Sequence, residues 1–363
     1  MKTLRIRRCE ELEIAQFDNL ITSPVLESSR SPRAFTSGAR DLPDKRSLGS
    51  NRTPSGSLRK QFSPLAMAVA VMLFTAAALA STPQGTFDKT YQVSGAVNLE
   101  VLTRSGDVSV RRGPAGSVSI HGKVYVGDRW LFGDRHGDVR EIEEHPPLRQ
   151  DGNSIHIDYV NDRNISVDYE ITVPEETAIR IRSGSGDLTI DGTRGSVELQ
   201  SGSGDVKLSQ VTGEIRLQTG SGNVRAQRIA GPLRGTTGSG DIELEETAAG
   251  DIDFHTGSGN ISAHGIQGAF HADTGSGDIT AEGAQTGTWE IHAGSGNVHL
   301  RLPASAAFDA NLSTSSGTLE IGPPITMTVQ GRVEERRKEI VGKVRGGGPL
   351  VRVRTGSGDI QIE

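Results

Sequence analysis

From residue 183 the chain alternates apolar and polar positions in short bursts, each set behind a glycine. Val206/Leu208, Ile215/Leu217, Ile242/Leu244, Ile252/Phe254 and Trp289/Ile291 are examples. Period-two alternation marks a strand with one face turned in and one turned out. The glycines recur every nine or ten residues and are of two kinds. Gly186, Gly204, Gly222, Gly240, Gly259, Gly277 and Gly296 each close a Gly-Ser-Gly turn followed by Asp or Asn, whereas Gly195, Gly213, Gly231, Gly250, Gly268 and Gly287 stand alone. The repeating unit is therefore about 18 residues with two unlike halves. Val211, Ile229, Ala248 and Ile266 add a further inward position two residues before a lone glycine. Hairpins of strands this short are not stable alone, but stacked copies bury one continuous core. The pattern predicts an all-β chain: a single-stranded parallel β-solenoid of right-handed β-helix type, against the alternative of antiparallel hairpins.

Tight corners need positive φ, which glycine adopts freely, and the Ser between the two glycines offers a hydroxyl to corner backbone groups. No helix and no Lys-Ser/Thr follows these turns, so they are not phosphate loops. Residues 183–302 form the regular array. Residues 81–182 are expected as irregular β-coils carrying an inserted loop at 127–152. Residues 303–363 are expected as altered coils with a loop or hairpin insertion at 331–345.

Composition narrows the picture. Gly makes up 46 of 363 residues and aromatics only 4%, which favours a narrow core of small and β-branched side chains over one wide core. Cys9 is the single cysteine, so a disulfide framework and a thiolate zinc site are both excluded. Residues 1–60 hold 12 of the 39 basic and 7 of the 45 acidic residues, and 61–80 are uncharged, so 81–363 carries a net charge of −11. An acidic body disfavours nucleic acid as a partner.

Leu58-Arg59-Lys60 precedes an apolar run, Leu65 to Ala80, that ends in Ala78-Leu79-Ala80. A positive flank, a short apolar stretch and a small-x-small end are the parts of a secretory signal peptide, assigned here to 58–80 with cleavage after Ala80. As a helix the run rises about 24 Å, short of a ~30 Å hydrocarbon core. The alternative is an uncleaved anchor, with membrane contact only through 65–80. Either way 81–363 is expected outside the cytoplasm, in the periplasm, at the cell surface or secreted. Residues 1–57 read as a disordered leader, or as sequence upstream of a true start near Leu58.

The Ser-Gly-Ser-Gly-Asp-Val/Leu/Ile coils, the preceding Ile171-Thr172-Val173-Pro174 and the signal peptide together resemble the bacterial putative-adhesin β-helix family, a domain of unknown function, over roughly 85–363. The resemblance implies a β-helix and brings no catalytic residues. No membrane-barrel segment or wall-sorting tail accompanies it, so "adhesin" is a fold-level analogy.

A solenoid aligns equal repeat positions in columns about 4.8 Å apart. The residues after the double-glycine turns, Asp187, Asp205, Asn223, Asp241, Asn260, Asp278 and Asn297, read as a strand-capping ladder in which Asn relieves carboxylate repulsion. Calcium is the alternative there, because the coil is similar to calcium-binding nonapeptide rolls. The lone-glycine half, however, has Ser196, Glu214, Pro232, Asp251, Ala269 and Thr288 at the matching place, too few oxygens for a Ca²⁺ that wants six to eight. Two outward columns interlock as Asp253, His271 and Glu290 beside His255, Asp273 and His292, with Glu245, His264, Glu282 and Arg301 on the opposite half. They read as alternating charge on a solvated face, or as a site for Zn²⁺ or another divalent ion. A polysaccharide lyase or hydrolase is the remaining alternative, with the two insertions lining a groove. The leading reading is an exported, non-catalytic cell-envelope scaffold that binds an envelope protein or glycan and needs no cofactor. Mass spectrometry of the exported chain is expected to find Ser81 at its N-terminus. Recovery of peptides from 1–57 in cells would refute the start near Leu58.

Overall fold

The computed structural model describes residues 82–127, 136–162, 164–246, 248, 250–323, 325–327 and 338–363. The expected leader (1–57) and signal peptide (58–80), with parts of both insertions, lie outside them. The described residues fall in the compact unit Thr75–Glu363. Among the described residues 25 strands join one hydrogen-bonded sheet that winds upon itself in coils. Among the described residues no helix is long and apolar enough to cross a membrane.

Each regular coil contributes one strand to each of two faces. On the first, Thr177–Ser185, Val197–Ser203, Ile215–Ser221, Leu233–Ser239 and Ile252–Ser258 stack in parallel, continued by the second halves of Ile261–Ser276 and Ile279–Ser295. On the second, Leu188–Asp191, Val206–Ser209, Val224–Ile229 and Ile242–Glu246 stack likewise, continued by the first halves of the two long strands. Parallel bridges Glu176↔Arg194↔Thr212↔Ala230 make a narrow third seam. Val211, Ile229 and Ile266 turn inward beside it and are fully buried, and Ala248 is half-buried.

The parallel-only expectation fails at both ends. Gly85–Gln92 runs antiparallel to Ser117–Val126, which runs antiparallel to Ile165–Val173. Leu148–Asp151 and Ser154–Ile157 form a hairpin. At the other end Lys338–Val344 lies antiparallel to both Phe308–Ser316 and Ile325–Met327. Only the hairpin is closed by a short turn; the other antiparallel pairs join segments well separated in the chain and cover edges that a bare stack would expose. The segment expected as a loop at 127–152 holds helix His136–Glu144, whose Glu143 Oε1 accepts the Thr86 N–H at 2.8 Å, together with the strand Leu148–Asp151.

Spatial order also departs from chain order. Leu350–Ser357 stacks directly on Ile279–Ser295, and Phe308–Ser316 stacks outside it. On the second face Ile360–Ile362 likewise lies between Val298–Arg301 and Leu319–Ile321. The degenerate turn Ser315-Ser316-Gly317-Thr318 thus caps the array, and the consensus turn Gly356-Ser357-Gly358-Asp359 sits within it. The described parts of the two insertions pair at opposite ends, one beside Gly85–Gln92 and Ser154–Ile157 and one beside Phe308–Ser316.

The corners explain the glycines. Gly240 has φ +147°, and a Cβ there would collide with the carbonyl oxygen of Gly222 one coil below. A Cβ on Gly238 would lie 2.6 Å from the Gly220 oxygen. Next to the corner runs a ladder of side-chain to backbone bonds. The backbone N–H of each residue donates to Oδ1 of its counterpart one coil earlier, at 2.7–3.0 Å. The series runs Asp168, Asp107, Asp187, Asp205, Asn223, Asp241, Asn260, Asp278, Asn297, Asp359, Thr318. In this series each side-chain oxygen faces a backbone N–H, and Asn223 Nδ2 adds a 3.3 Å contact to Asp205. Of the serines inside the turns, Ser185 bonds a corner carbonyl, Oγ to Arg104 O at 3.4 Å. Serines inside the turns, such as Ser203, Ser221 and Ser239, are exposed. The buried Ser or Thr before the first glycine bonds the corner carbonyls too, as Ser201 Oγ does to Ser203 O and Thr274 Oγ1 to Gly259 O.

The core is narrow and balances large against small. In one inward column Phe270 and Trp289 meet edge-to-face at 5.6 Å. On the second face Ala263 and Ala281 pair in register and are fully buried, small side chains in the same core. In the adjacent column Gly235 lies between Leu217 and Phe254, and a Cβ there would come within 3.0 Å of both.

Two outcomes follow from the ladder. Asp241→Ala removes the acceptor of the Asn260 N–H and is expected to cost about 1 kcal/mol in urea unfolding, whereas Asp241→Asn keeps the oxygen and most of that stability. The N–H and O–H of Thr318 both donate to Asp359 Oδ1 and hold its carboxyl below the usual range. A carboxyl more acidic folded than unfolded stabilises the fold fully above its unfolded value, about 3.9. That contribution drains away as pH falls through the lower folded value. The amide protection factor of Thr318 is therefore expected to fall in acid in the wild type and to stay level over the same range in Asp359→Asn.

Candidate functional site

The register fixes which outward residues meet. One column runs Glu198, Arg216, Arg234, Asp253, His271, Glu290, then Arg352. Beside it run Gln200, Gln218, Thr236, His255, Asp273, His292, then Arg354. Asp253 and His255 stand two apart on one strand and so share a face, and His271 occupies the Asp253 position one coil on.

Three of the six residues singled out from sequence converge. Asp253 Oδ1 lies 2.8 Å from His271 Nδ1 and 2.9 Å from His255 Nε2. The two imidazoles meet edge-to-face at 5.0 Å. One ligand atom from each of the three residues lies within 4.8 Å of the others, and among the described residues this is the one group of three or more His, Cys, Asp or Glu that does so. Partial burial opposes the charge on Asp253 and is the largest single influence. The hydrogen bond with His271 and the nearby His255, His271 and Arg234 together outweigh it and hold the carboxyl below its usual range. Arg234 Nε stands 3.7 Å from the other oxygen, Oδ2.

The other three do not join the cluster. Asp273 Oδ1 pairs with His292 Nδ1 at 3.2 Å. Glu290 is drawn toward Arg352, whose Nη1 donates to Oε1 at 3.0 Å. Sequence spacing could not place Arg352 there, because its strand is inserted out of chain order. On the second face His264 Nδ1 lies 3.3 Å from Glu282 Oε2, and Arg301 follows Glu282 in register. The Asp/Asn ladder points its Oδ1 atoms at backbone N–H groups, not at a shared centre.

Sequence reasoning missed a groove of about 450 Å³ near the first coils, lined by Glu100, His156, Arg180, Glu198, Glu214 and Arg216. Its carboxylates are all paired: Glu100 with His156 at 3.0 Å, Glu198 with Arg180 at 2.9 Å and Glu214 with Arg216 at 2.6 Å. His156 comes from the hairpin strand Ser154–Ile157, which the repeat pattern does not encode.

Comparison with known proteins is consistent with this architecture. The family model described as Toastrack DUF4097 matches residues 81–245 and again 164–363, two overlapping matches as a repeating chain allows. A putative adhesin from Bacteroides fragilis NCTC 9343 is similar over 77% of this chain and 98% of its own, at 15% identity and TM-score 0.37. A putative lipid binding protein from Parabacteroides distasonis ATCC 8503 is similar over 77% of this chain and 97% of its own, at 14% identity and TM-score 0.42. At such scores the likeness bears on neither ligand nor activity. Comparison with curated proteins gives no match.

Proposed function

Because the chain belongs to the Toastrack DUF4097 family across residues 81–363, we propose that it is an exported, non-catalytic scaffold of the cell envelope that binds a partner protein or glycan along its outward columns. The observation that carries this reading is the register: adjacent strands hold equal positions opposite one another over many coils, so the outer face offers a polar pattern at a fixed ~4.8 Å step. A lattice of that kind suits an extended partner with its own repeat. Export rests on the positive flank, apolar run and Ala78-Leu79-Ala80 ahead of Ser81. The coil is taken as right-handed, the hand of the β-helix.

The absence of catalysis is supported by the pairing in the groove. Its three carboxylates each meet a cation or an imidazole, so none stands free as the acid or nucleophile of glycoside hydrolysis. The net charge of −11 from residue 81 on favours a neutral or basic partner, or an acidic one bridged by cations.

Cell fractionation of a bacterial host expressing the full chain tests export. The body is expected outside the cytoplasm, cleaved by added protease once the outer layer is opened; a cytoplasmic, protected chain overturns the proposal. Envelope glycans and proteins offered to the chain are expected to bind saturably and to be recovered unchanged, and shortened polymer would show an enzyme instead.

A further inference from the structure

We propose that Asp253, His255 and His271 form a site for one divalent transition-metal ion of the zinc type, with solvent completing its coordination. This stands independently of export and of any partner.

The donor set decides the class of ion. Two imidazole nitrogens and one carboxylate oxygen suit Zn²⁺ and its neighbours, whereas Ca²⁺ and Mg²⁺ prefer oxygen alone. Three protein ligands with an open fourth position is a familiar zinc arrangement. The half-exposed side chains leave that position to water: His255 and His271 are each 42% exposed and Asp253 33%.

The geometry is close to what the ion needs. Zinc bonds of about 2.0–2.2 Å in a tetrahedron set the ligand atoms roughly 3.3–3.5 Å apart. Here Oδ1 of Asp253 sits 2.8 Å and 2.9 Å from the two nitrogens. Each contact has to open by about half an ångström, a side-chain rotation with no change in register. The ion would take the place of the hydrogen between each imidazole nitrogen and the carboxylate, which a neutral ring keeps on its other nitrogen and only an imidazolium gives up. Arg234 occupies the side of Oδ2 at 3.7 Å and leaves Oδ1 as the ligand oxygen. Asp273 lies opposite His255 in register and Glu290 opposite His271, so further negative charge stands on the neighbouring coils. The backbone carrying the ligands is fixed by parallel pairing on both sides, with Leu233–Ser239 before and Ile279–Ser295 after.

His264 makes the internal control. It meets Glu282 at 3.3 Å and Ser262 at 3.0 Å on the other face, and joins no third ligand. The test is calorimetric titration of the chelator-stripped full chain with Zn²⁺, repeated with Co²⁺ while its visible absorption is recorded. The wild type is expected to take up an ion that His255→Gln and His271→Gln bind at least about tenfold more weakly, the least that losing even an outer partner costs a metal site. His264→Gln is expected to bind as the wild type does. The Co²⁺ spectrum is expected to show nitrogen ligation that both site variants lose while their metal-free melting points stay near the wild-type value. A wild type that takes up no ion overturns the proposal. So does uptake that survives unchanged in His255→Gln/His271→Gln, which would assign the ion to other parts of the chain.

Discussion

Everything in this fold depends on how closely one coil can lie on the next at the Gly-Ser-Gly corner. Parallel strands stack at about 4.8 Å, and at the corner the backbones approach until a single methyl group would strike the carbonyl below. That closeness lets the Asp or Asn after the turn reach down to the next backbone N–H. Corner and ladder are thus one device. Glycine permits the approach, the Asx oxygen satisfies the donor, and the buried Ser or Thr before the turn satisfies the carbonyls. Each bond is worth only ~1 kcal/mol net, but leaving its donor or acceptor unmatched is costlier. Repetition therefore fixes the register instead of blurring it.

A fixed register has consequences on both faces. Inside, it forces side chains at equal positions into contact, so Phe254 needs Gly235 below it, and Phe270 meets Trp289 edge-to-face. A core this narrow adjusts volume pair by pair, which is why few aromatics suffice. Outside, it turns the sequence into columns of near neighbours. Opposite charges next to each other stabilise and like charges do not; pairs such as Arg180–Glu198 and Arg225–Glu243 follow this rule, while Arg216 and Arg234 stand as like neighbours. The Asp253 cluster obeys it too, with the difference that three donors point at one place.

The repeat made the centre of the molecule legible and left the ends obscure. Period-two patterning behind Gly186 through Gly296 gave strands, coil length and outward columns, because in that stretch local sequence and stacking partner are the same pattern one coil apart. The juxtaposition of Asp253, His255 and His271 could be read for the same reason. Where chain order and spatial order part, the inference had nothing to act on. Arg352 reaches Glu290 only because Leu350–Ser357 is inserted between neighbours earlier in the chain. His156 reaches Glu100 only through a hairpin outside the repeat. The antiparallel caps were hidden likewise, since an alternating strand carries no mark of its direction. Even so, the consensus turn at Gly356–Asp359 and the worn one at Ser315–Thr318 held a clue. The ladder needs an acceptor at every rung except the last, and Thr318, with no carboxylate or amide, stands at that last rung.

The exchanged order of the final coils bears on how the chain can fold. A plain solenoid grows by adding each coil to the one just made, so its nascent end is always the stacking surface. Here the surface carrying Trp289 cannot receive residues 308–321, which come next, because their place lies one layer further out. It must wait for 350–362, which follow 308–321 in the chain, and only then can the earlier segment close over them. The C-terminal strand acts as a latch: contacts across long sequence separations form last and slowly. Until then the array has an open hydrophobic edge, so a chain without 350–362 loses the surface on which the preceding coil and its antiparallel cap both rest.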